Sequence, residues 1–344
     1  MSAPRRIVVT GATGFLGGAL ARHLAAARPW DRVLGLGRDA ARGRALQAQG
    51  VEFAALDLTD AAAVHRALRG ADLVVHAAAL SSPWGRRADF VAANIDASDH
   101  VAEACVAHQV RRLVHISTPG IYHDGRPHRG IREDQPLPAR AVNDYAATKL
   151  IAERRVLARC ADGGVAAIAL RPRAIFGPGD SAILPRLADA LRRGRLPRLG
   201  AEDCEVDLTY IDNAVDAIVL AMDASWRLAG RVYNISNGEP VRIWQVIDRL
   251  ADALSLPRPQ RRLPRPLVLA LASAVEAGYR RLRPDREPPL LRYGIELLSV
   301  DMTLDIGRAR AELGYRPRVG MDEALNRTLA ELARAEATRG GARR

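Results

Sequence analysis

The sequence predicts an α/β fold: a doubly wound parallel sheet followed by a smaller, mostly helical C-terminal region. Short apolar runs alternate with alanine-rich amphipathic segments through the first half of the 344 residues. A glycine-rich turn follows the first of these runs, and the alternation loosens after Pro172. Alternating strands and helices are typical of βαβ units, whose parallel strands are covered by helices on both faces.

The expected strands are continuous apolar runs, as burial on both faces requires. They cover residues 6–10, 32–37, 51–56, 72–76, 113–117 and 166–171. Between them, apolar residues recur every three or four positions, which indicates helices. We expect these helices over residues 16–27, 61–68, 90–108 and 144–160.

The chain after Pro172 predicts a second region. A Gly/Pro turn at 177–180 precedes a helix over 184–193, and a strand over 231–235 is expected to return to the main sheet. An apolar segment further on predicts another helix over 267–282.

These elements suggest how the chain divides into domains. We assign residues 1–174 to the sheet domain, with 208–236 returning to it. Residues 175–207 and 237–335 form the second region, and the Gly/Arg-rich residues 336–344 are predicted to be a disordered tail.

The composition argues against several classes of protein. The formal net charge is +12, but the arginines are spread along the chain and aromatic residues make up only 4%. Nucleic-acid binding needs a concentrated basic stripe and often aromatic stacking platforms, so we expect no nucleic-acid partner. No apolar stretch is long enough for a transmembrane helix. The three cysteines are odd in number and lack C-x-x-C spacing, which favours a cytoplasmic location and no metal site.

The first strand leads into a turn with glycines three residues apart, and the turn leads into a helix. Such glycines let the chain turn tightly and let a pyrophosphate approach backbone N–H groups at the positive end of a helix. This context predicts a Rossmann-type dinucleotide-binding domain. We assign the cofactor contacts of this turn to Gly11, Thr13, Gly14, Phe15, Leu16 and Gly17.

The end of the second strand selects between NADP and NAD. An acidic residue there would hold the ribose hydroxyls of NAD, whereas an arginine suits the 2′-phosphate of NADP. Arg38 and Asp39 occupy this place, so we expect NADP and keep NAD as the alternative. Further cofactor contacts are expected after the third and fourth strands, at Asp57, Leu58, Ala77, Ala78 and Ala79.

Lys149 is the only lysine among 51 Lys and Arg residues. Because a compact ammonium differs from a planar guanidinium, a lone lysine in such a chain marks a place where the ammonium is needed. It follows Tyr145 by four residues, which places both side chains on one helix face. A nearby ammonium lowers the pKa of a phenol from about 10 toward neutrality and so suits Tyr145 for proton exchange. Thr118, at the end of the fifth strand, has a hydroxyl for the substrate oxygen.

The chain resembles the extended short-chain dehydrogenase/reductase family, in the NAD-dependent epimerase/dehydratase superfamily, over nearly its whole length. The resemblance rests on the glycine turn, Asp57-Leu58, Ser117-Thr118, Tyr145-x-x-x-Lys149, and Arg171-Pro172 with the Phe-Gly-Pro-Gly at 176–179. It implies that Tyr145 exchanges the proton, Lys149 activates it and Thr118 holds the substrate oxygen.

The same resemblance implies further contacts. Asn94 supports the nicotinamide side, Ser117 adds a cofactor contact, and the segment with Pro172 and Ile175 meets the carboxamide. The substrate is expected against Ser81, Trp84, Thr118, Pro119 and Tyr145.

Segments 207–214, 233–240 and 309–317 are similar to the 3β-hydroxysteroid dehydrogenase-like branch, which includes sterol-4-carboxylate dehydrogenases and 2-alkyl-3-oxoalkanoate reductases. This implies an apolar substrate, a 3-oxo acid or a sterol. Relatives dimerise through two long helices, which here would be 90–108 and 144–160, so a homodimer is expected.

We therefore expect an NAD(P)-dependent oxidoreductase that interconverts a ketone and a secondary alcohol by hydride transfer, with Tyr145 as general acid and base. A nucleotide-sugar epimerase or dehydratase with retained NAD is the alternative. A non-enzymatic dinucleotide-binding protein would not need the Tyr/Lys/Thr group. The helix over 267–282 is expected to be a core helix, with a substrate lid or a peripheral membrane contact as alternatives.

Overall fold

The computed structural model describes residues 4–180, 182–199 and 203–341, with only the backbone described for 339–341. Its strands, in chain order, are β1 Arg6–Thr10, β2 Arg32–Gly37, β3 Glu52–Ala55, β4 Leu73–His76, β5 Arg112–Ile116, β6 His128–Ile131, β7 Ala166–Pro172, β8 Ile175–Phe176, β9 Arg198–Leu199, β10 Glu205–Val206, β11 Thr209–Tyr210, β12 Val232–Ile235, β13 Val241–Arg242, β14 Arg262–Leu263 and β15 Met302–Leu304.

The α-helices are α1 Phe15–Ala27, α2 Ala40–Gln47, α3 Ala61–Leu68, α4 Arg87–Phe90, α5 Ala97–Ala107, α6 Asp144–Asp162, α7 Leu184–Arg192, α8 Ile211–Asp223, α9 Ile243–Ala253, α10 Arg265–Leu282, α11 Arg292–Leu297 and α12 Met321–Gly341. Shorter 3-10 or π-helical segments are Val91–Asp96, Pro119–Tyr122, Trp226–Leu228 and Ala309–Leu313. Within the described residues, no helix combines the length and the apolar character needed to cross a membrane.

Seven parallel strands form the main sheet in the order β12-β7-β5-β4-β1-β2-β3. Ile7, Val8 and Val9 of the interior strand β1 are fully buried, because helices cover both faces. The direction in which successive strands are added reverses between β1 and β4, and α/β sheets bind ligands at the carboxyl edge of such a switch point. The predicted α/β, Rossmann-type fold is confirmed.

A second core lies beside the sheet. It is built by α7, α9, α10 and α12 around Trp244, Ile247 and Leu250, next to a small sheet in the order β13-β10-β15-β6. Strand β6, which lies inside the segment 1–174, joins this second sheet by pairing with β15.

Several elements differ from the sequence-based expectations. The helix expected over 90–108 begins as a π-helix, Val91–Asp96, before it becomes α5. The last helix continues to Gly341, past the start of the expected tail at 336, while residues 342–344 lie outside the described ones. Helix α10, expected to be a core helix, buries only Val268 and Ala272. Its apolar residues are distributed around the whole helix, but only one of its faces packs against the second core.

Candidate active site

The site is formed where β1, β4 and β5 end, beside the switch point. The glycine turn follows β1, the residues Ala77 to Ala79 follow β4, and Ser117 and Thr118 follow β5. Since parallel strands bring their carboxyl ends to one edge, these three segments lie together although they are distant in sequence.

The glycine turn packs directly on the backbone that follows β4. Gly11 has a φ of 70°, and a Cβ there would lie 2.8 Å from the Ala78 Cα. At Gly17 a Cβ would lie 2.3 Å from the Gly11 carbonyl oxygen. Any side chain at either position would therefore displace backbone, so the turn requires glycine.

The start of α1 and Ser117 offer hydrogen-bond donors that could bind a dinucleotide. Gly14 precedes α1 without a side-chain cap, and the first turn of α1 has no acidic residue, so its N–H groups are free to bind pyrophosphate. Ser117 Oγ is buried and has no hydrogen-bond partner in the described part of the chain, which leaves it available to a ligand.

Arg38, Asp39 and Arg42, which follow β2, differ in the contacts that their side chains make. The Asp39 carboxylate accepts hydrogen bonds from the Ala41 and Arg42 backbone N–H groups, both at 3.0 Å, and so caps α2. The Arg42 side chain donates to the Thr13 carbonyl at 3.1 Å. Arg38 is exposed and has no ion-pair partner among the residues described. Of these three side chains, Arg38 is therefore the one left for a cofactor phosphate.

Three of the predicted cofactor contacts make hydrogen bonds within the protein: Asp57, Leu58 and Asn94. Asp57 Oδ1 accepts hydrogen bonds from the Thr59 N–H and hydroxyl, which lowers the pKa of Asp57. The Leu58 carbonyl is 2.9 Å from His100 Nδ1. Asn94, buried in the π-helix, accepts from the Leu80 N–H at 2.7 Å.

Asn94 also reaches the helix that carries the predicted catalytic pair. Its Nδ2 donates to Thr148 Oγ1 at 3.0 Å, one residue before Lys149. The side chain thus ties the loop after β4 to α6, and the π-helical turn that positions it is a feature often found at functional sites.

The structure places Tyr145, the expected proton donor, near Thr118, the expected partner of the substrate oxygen. Asn143 caps α6 by accepting from the Ala146 N–H at 2.8 Å, which places Tyr145 in the first turn. The hydroxyls of Thr118 and Ser81 lie close enough to the Tyr145 hydroxyl to lower its pKa. Sequence reasoning placed Ser81 only against the substrate, since no spacing relates a loop residue after β4 to α6.

Tyr145 departs from expectation in its pKa. Burial raises the pKa of Tyr145 above its ordinary value, and Tyr293 adds to the rise, while the hydroxyls of Ser81 and Thr118 lower it. The expected lowering by Lys149 is not found, because the ammonium faces elsewhere. Lys149 Nζ donates to the Ile116 carbonyl at 2.6 Å.

Lys149 is 1% exposed, so it is a buried lysine and not a surface one. Burial lowers its pKa to about 8, and Glu153, one turn further along α6, opposes this effect. Its Nζ also lies 3.5 Å from His115 Nε2.

Two fully buried histidines behind Lys149 were missed in the sequence. His76 Nδ1 lies 2.8 Å from Thr10 Oγ1, and His76 Nε2 lies 2.9 Å from Ser98 Oγ. Burial lowers the pKa of His76 to about 3 and that of His115 well below its ordinary value, so both are neutral near pH 7. The sequence signal that could have identified them is the presence of a histidine in each of two apolar segments that were predicted to be strands, 72–76 and 113–117.

Pro172 and Ile175 flank a backbone turn at the edge of the sheet. Between them Ala174 has a φ of 44°, a left-handed conformation that a residue with a Cβ adopts rarely. Pro119 is buried in the 3-10 turn that follows Thr118.

A cavity of about 590 Å³ adjoins this site. Trp84 lines it together with Asn143 and Tyr293. The Trp84 ring is covered by the Arg280 guanidinium at 4.8 Å from the ring centroid. Tyr293, which sequence reasoning missed, reaches both this cavity and the surroundings of Tyr145.

Two histidines, His123 and His128, flank a polar loop that follows the 3-10 turn at Pro119–Tyr122, and each is within hydrogen-bond distance of an acidic residue. His123 Nε2 lies 3.0 Å from Glu296 Oε2, and His128 Nε2 lies 2.9 Å from Asp124 Oδ1. No group of three or more potential metal ligands occurs among the described residues.

The fold and site define a dinucleotide-dependent enzyme. The chain belongs to the NAD dependent epimerase/dehydratase family, whose model matches residues 7–236. It is 39% identical to a 2-alkyl-3-oxoalkanoate reductase of Stenotrophomonas maltophilia (strain K279a), over 95% of this chain and 99% of the relative. It is 31% identical to the 3beta-hydroxysteroid-dehydrogenase/decarboxylase isoform 1 of Arabidopsis thaliana, over 83% of this chain and 68% of the relative.

Among solved structures, the UDP-glucuronic acid 4-epimerase of Bacillus cereus in complex with NAD shares the fold with a TM-score of 0.76. The sequences are 22% identical, over 96% of this chain and 99% of that chain. Together these comparisons confirm the predicted family and the predicted enzyme class, a nicotinamide-dependent oxidoreductase.

Proposed function

We propose that this chain is an NADP-dependent reductase and dehydrogenase that interconverts a 3-oxo acid and the corresponding 3-hydroxy acid. The observation that carries the proposal is the position of the Tyr145 hydroxyl, close to the hydroxyls of Thr118 and Ser81 at the carboxyl edge of the sheet. A bound NADP would supply the hydride for reduction and accept it for oxidation.

Tyr145 is the proposed general acid. Because its pKa is raised by burial, the phenol keeps its proton near neutral pH and can donate it to the oxygen of a ketone. Thr118 and Ser81 would orient that oxygen by hydrogen bonding and stabilise the charge that develops on it. Lys149, whose pKa is about 8, remains largely protonated at pH 7 and is proposed to hold the ribose hydroxyls of the cofactor.

The proposed preference for NADP is supported by the different contacts of the two side chains that follow β2. The Asp39 carboxylate is engaged in capping α2, whereas the exposed Arg38 is available to a 2′-phosphate. In a fluorescence titration, Arg38→Ala should weaken NADPH binding more than NADH binding. Arg44→Ala, an exposed arginine on α2, is the matched control, and equal losses for both cofactors in Arg38→Ala would argue for NAD.

The substrate class is supported by the charges that line the cavity. Its three acidic side chains already have partners. Asp124 pairs with His128, Glu296 pairs with His123, and Glu276 accepts from the Arg292 N–H at 2.7 Å. The lining holds four arginines against these three acidic side chains, so its formal balance of Arg and acidic charges is positive.

The arginines of the cavity are less fully paired. Arg126, Arg140 and Arg280 line it without an ion-pair partner in the described chain. Apolar walls from Trp84 and Leu291 complete a lining that suits an amphipathic anion. The names of the two relatives agree with this, since one acts on an oxoalkanoate and the other is a decarboxylase.

The deciding experiment compares two alcohols in the oxidation direction, because 3-oxo acids lose CO₂ spontaneously. A 2-alkyl-3-hydroxyalkanoate should be oxidised with a kcat/KM at least about tenfold above that of the same alcohol without its carboxylate. Arg126→Gln combined with Arg140→Gln should reduce this preference and leave the plain alcohol unaffected. Bound NAD that is retained through purification, with no net reduction of added NADP, would favour an epimerase or dehydratase instead.

We further propose a reducing, cytoplasmic location, which is supported by three free cysteines that are all buried. We also propose that the chain forms a homodimer through α5 and α6. Light scattering of the purified chain would test the dimer, since a monomeric mass would exclude it.

A further inference from the structure

The helix α10 exposes an apolar stripe to solvent. Leu267 is 61% exposed, Leu271 is 56% exposed and Leu282, at the end of the helix, is 78% exposed. The exposed small residues Ala274 and Gly278 lie between them at spacings of three and four, so all five share one helix face. Three of the five large hydrophobic side chains found exposed in the described chain are therefore on this one face.

Positive charge accompanies the stripe at its C-terminal end. Arg281, Arg283 and Arg286 are exposed and have no ion-pair partner among the residues that the structure describes. The two acidic residues in the same segment are already paired. Asp285 lies 3.4 Å from Arg86, and Glu287 lies 3.3 Å from Arg186.

The same helix borders the active-site cavity. Glu276 and Arg280, on other faces of α10, line the cavity, and Arg280 covers the Trp84 ring. The Trp84 indole N–H in turn donates to the Pro284 carbonyl at 2.9 Å, which fixes the end of α10 against the cavity wall. A surface bound by the stripe would thus lie one helix diameter from the cavity.

We infer that α10 docks parallel to the surface of an anionic phospholipid bilayer. Its leucines would enter the boundary between headgroups and acyl chains, and Arg281, Arg283 and Arg286 would meet lipid phosphates. An apolar face with adjacent unpaired arginines has the composition of an interfacial helix. The inference does not depend on the proposed reaction, because it rests on the outer surface of α10.

A second copy of the chain is the competing occupant. In a symmetric dimer the same patch meets itself, so two surfaces that both carry unpaired arginines would face each other, and the acidic residues of each segment are already paired. Repulsion between like charges opposes that arrangement, whereas a negatively charged lipid surface attracts the same arginines. The charge pattern therefore favours the bilayer.

Vesicle sedimentation of the full-length chain tests this inference. Vesicles of phosphatidylcholine with 30% phosphatidylglycerol (roughly the anionic fraction that attracts basic segments) should bind it, and phosphatidylcholine alone should bind it far less. High salt should release it, since screening weakens the electrostatic attraction.

Two sets of variants assign the binding to α10. Leu267→Ser with Leu271→Ser should lower the partition coefficient at least about tenfold. Arg281→Gln, Arg283→Gln and Arg286→Gln together should abolish the preference for anionic lipid. Trp226→Ser removes an equally exposed apolar side chain elsewhere, 73% exposed, and should change nothing.

All variants should keep their NADPH affinity and their turnover of a short, water-soluble alcohol, so that a loss of lipid binding is separable from a loss of the reaction. The inference is wrong if wild type does not bind anionic vesicles, or if the leucine variant binds as wild type does. A leucine variant that changes from dimer to monomer by light scattering, with no vesicle binding by wild type, would assign the stripe to a second copy.

Discussion

Replacing Lys149 by methionine measures the electrostatic cost of burying the single amine of the chain. The side chain is 1% exposed, and burial lowers its pKa from 10.5 to about 8. Below pH 8 the amine is charged in the folded and the unfolded chain alike, so the folded state bears the full desolvation cost. Above pH 8 the folded chain releases this proton, whereas the unfolded chain keeps it to about pH 10.5. The free energy of unfolding therefore rises with pH in this window.

The size of the effect follows from the two pKa values. Their difference corresponds to about 3 kcal/mol at about 1.4 kcal/mol per pH unit. Most of this, about 2 to 3 kcal/mol, should appear between about pH 7 and pH 10 as a gain of wild type relative to Lys149→Met. Other titrating groups are common to both proteins, so the difference between the proteins isolates the amine.

Urea unfolding of both proteins, followed by circular dichroism in steps from pH 7 to pH 10, measures this gain. The stability of wild type minus that of Lys149→Met should become more positive as pH rises. Curves that stay parallel would show that Lys149 is not buried with a lowered pKa, and the geometry described for it would be wrong.

Three further substitutions test the catalytic assignments. Lys149→Arg keeps the charge but puts a larger, planar group where the ammonium meets the Ile116 carbonyl at 2.6 Å. Its kcat should fall at least about a hundredfold, and a near-normal kcat would contradict the need for an ammonium. Tyr145→Phe should bind NADPH as wild type does and lose turnover by at least about a hundredfold; substantial activity would exclude Tyr145 as the acid. Ser81→Ala removes a hydroxyl that lowers the pKa of Tyr145, so the pH profile for alcohol oxidation should shift upward. A profile identical to that of wild type would show that Ser81 does not contact the reacting hydroxyl.

Much of the site could be predicted because its signals are local. The glycine turn, the Tyr145 to Lys149 spacing and the position of Thr118 after a strand all depend on residues close in sequence. His76 and His115 were missed for the opposite reason. They lie in separate strands, β4 and β5, and become neighbours only through the parallel pairing of His76 with His115.

The sequence by itself determined the sheet, the dinucleotide turn and the helix that carries Tyr145 and Lys149, since apolar periodicity and short spacings act through neighbouring residues. Tertiary structure decided the surroundings of each group. It raised the pKa of Tyr145, turned the Lys149 ammonium toward Ile116, and left one face of α10 in solvent. Burial and partner choice depend on which distant segments pack together, and the sequence of a single segment does not contain that information.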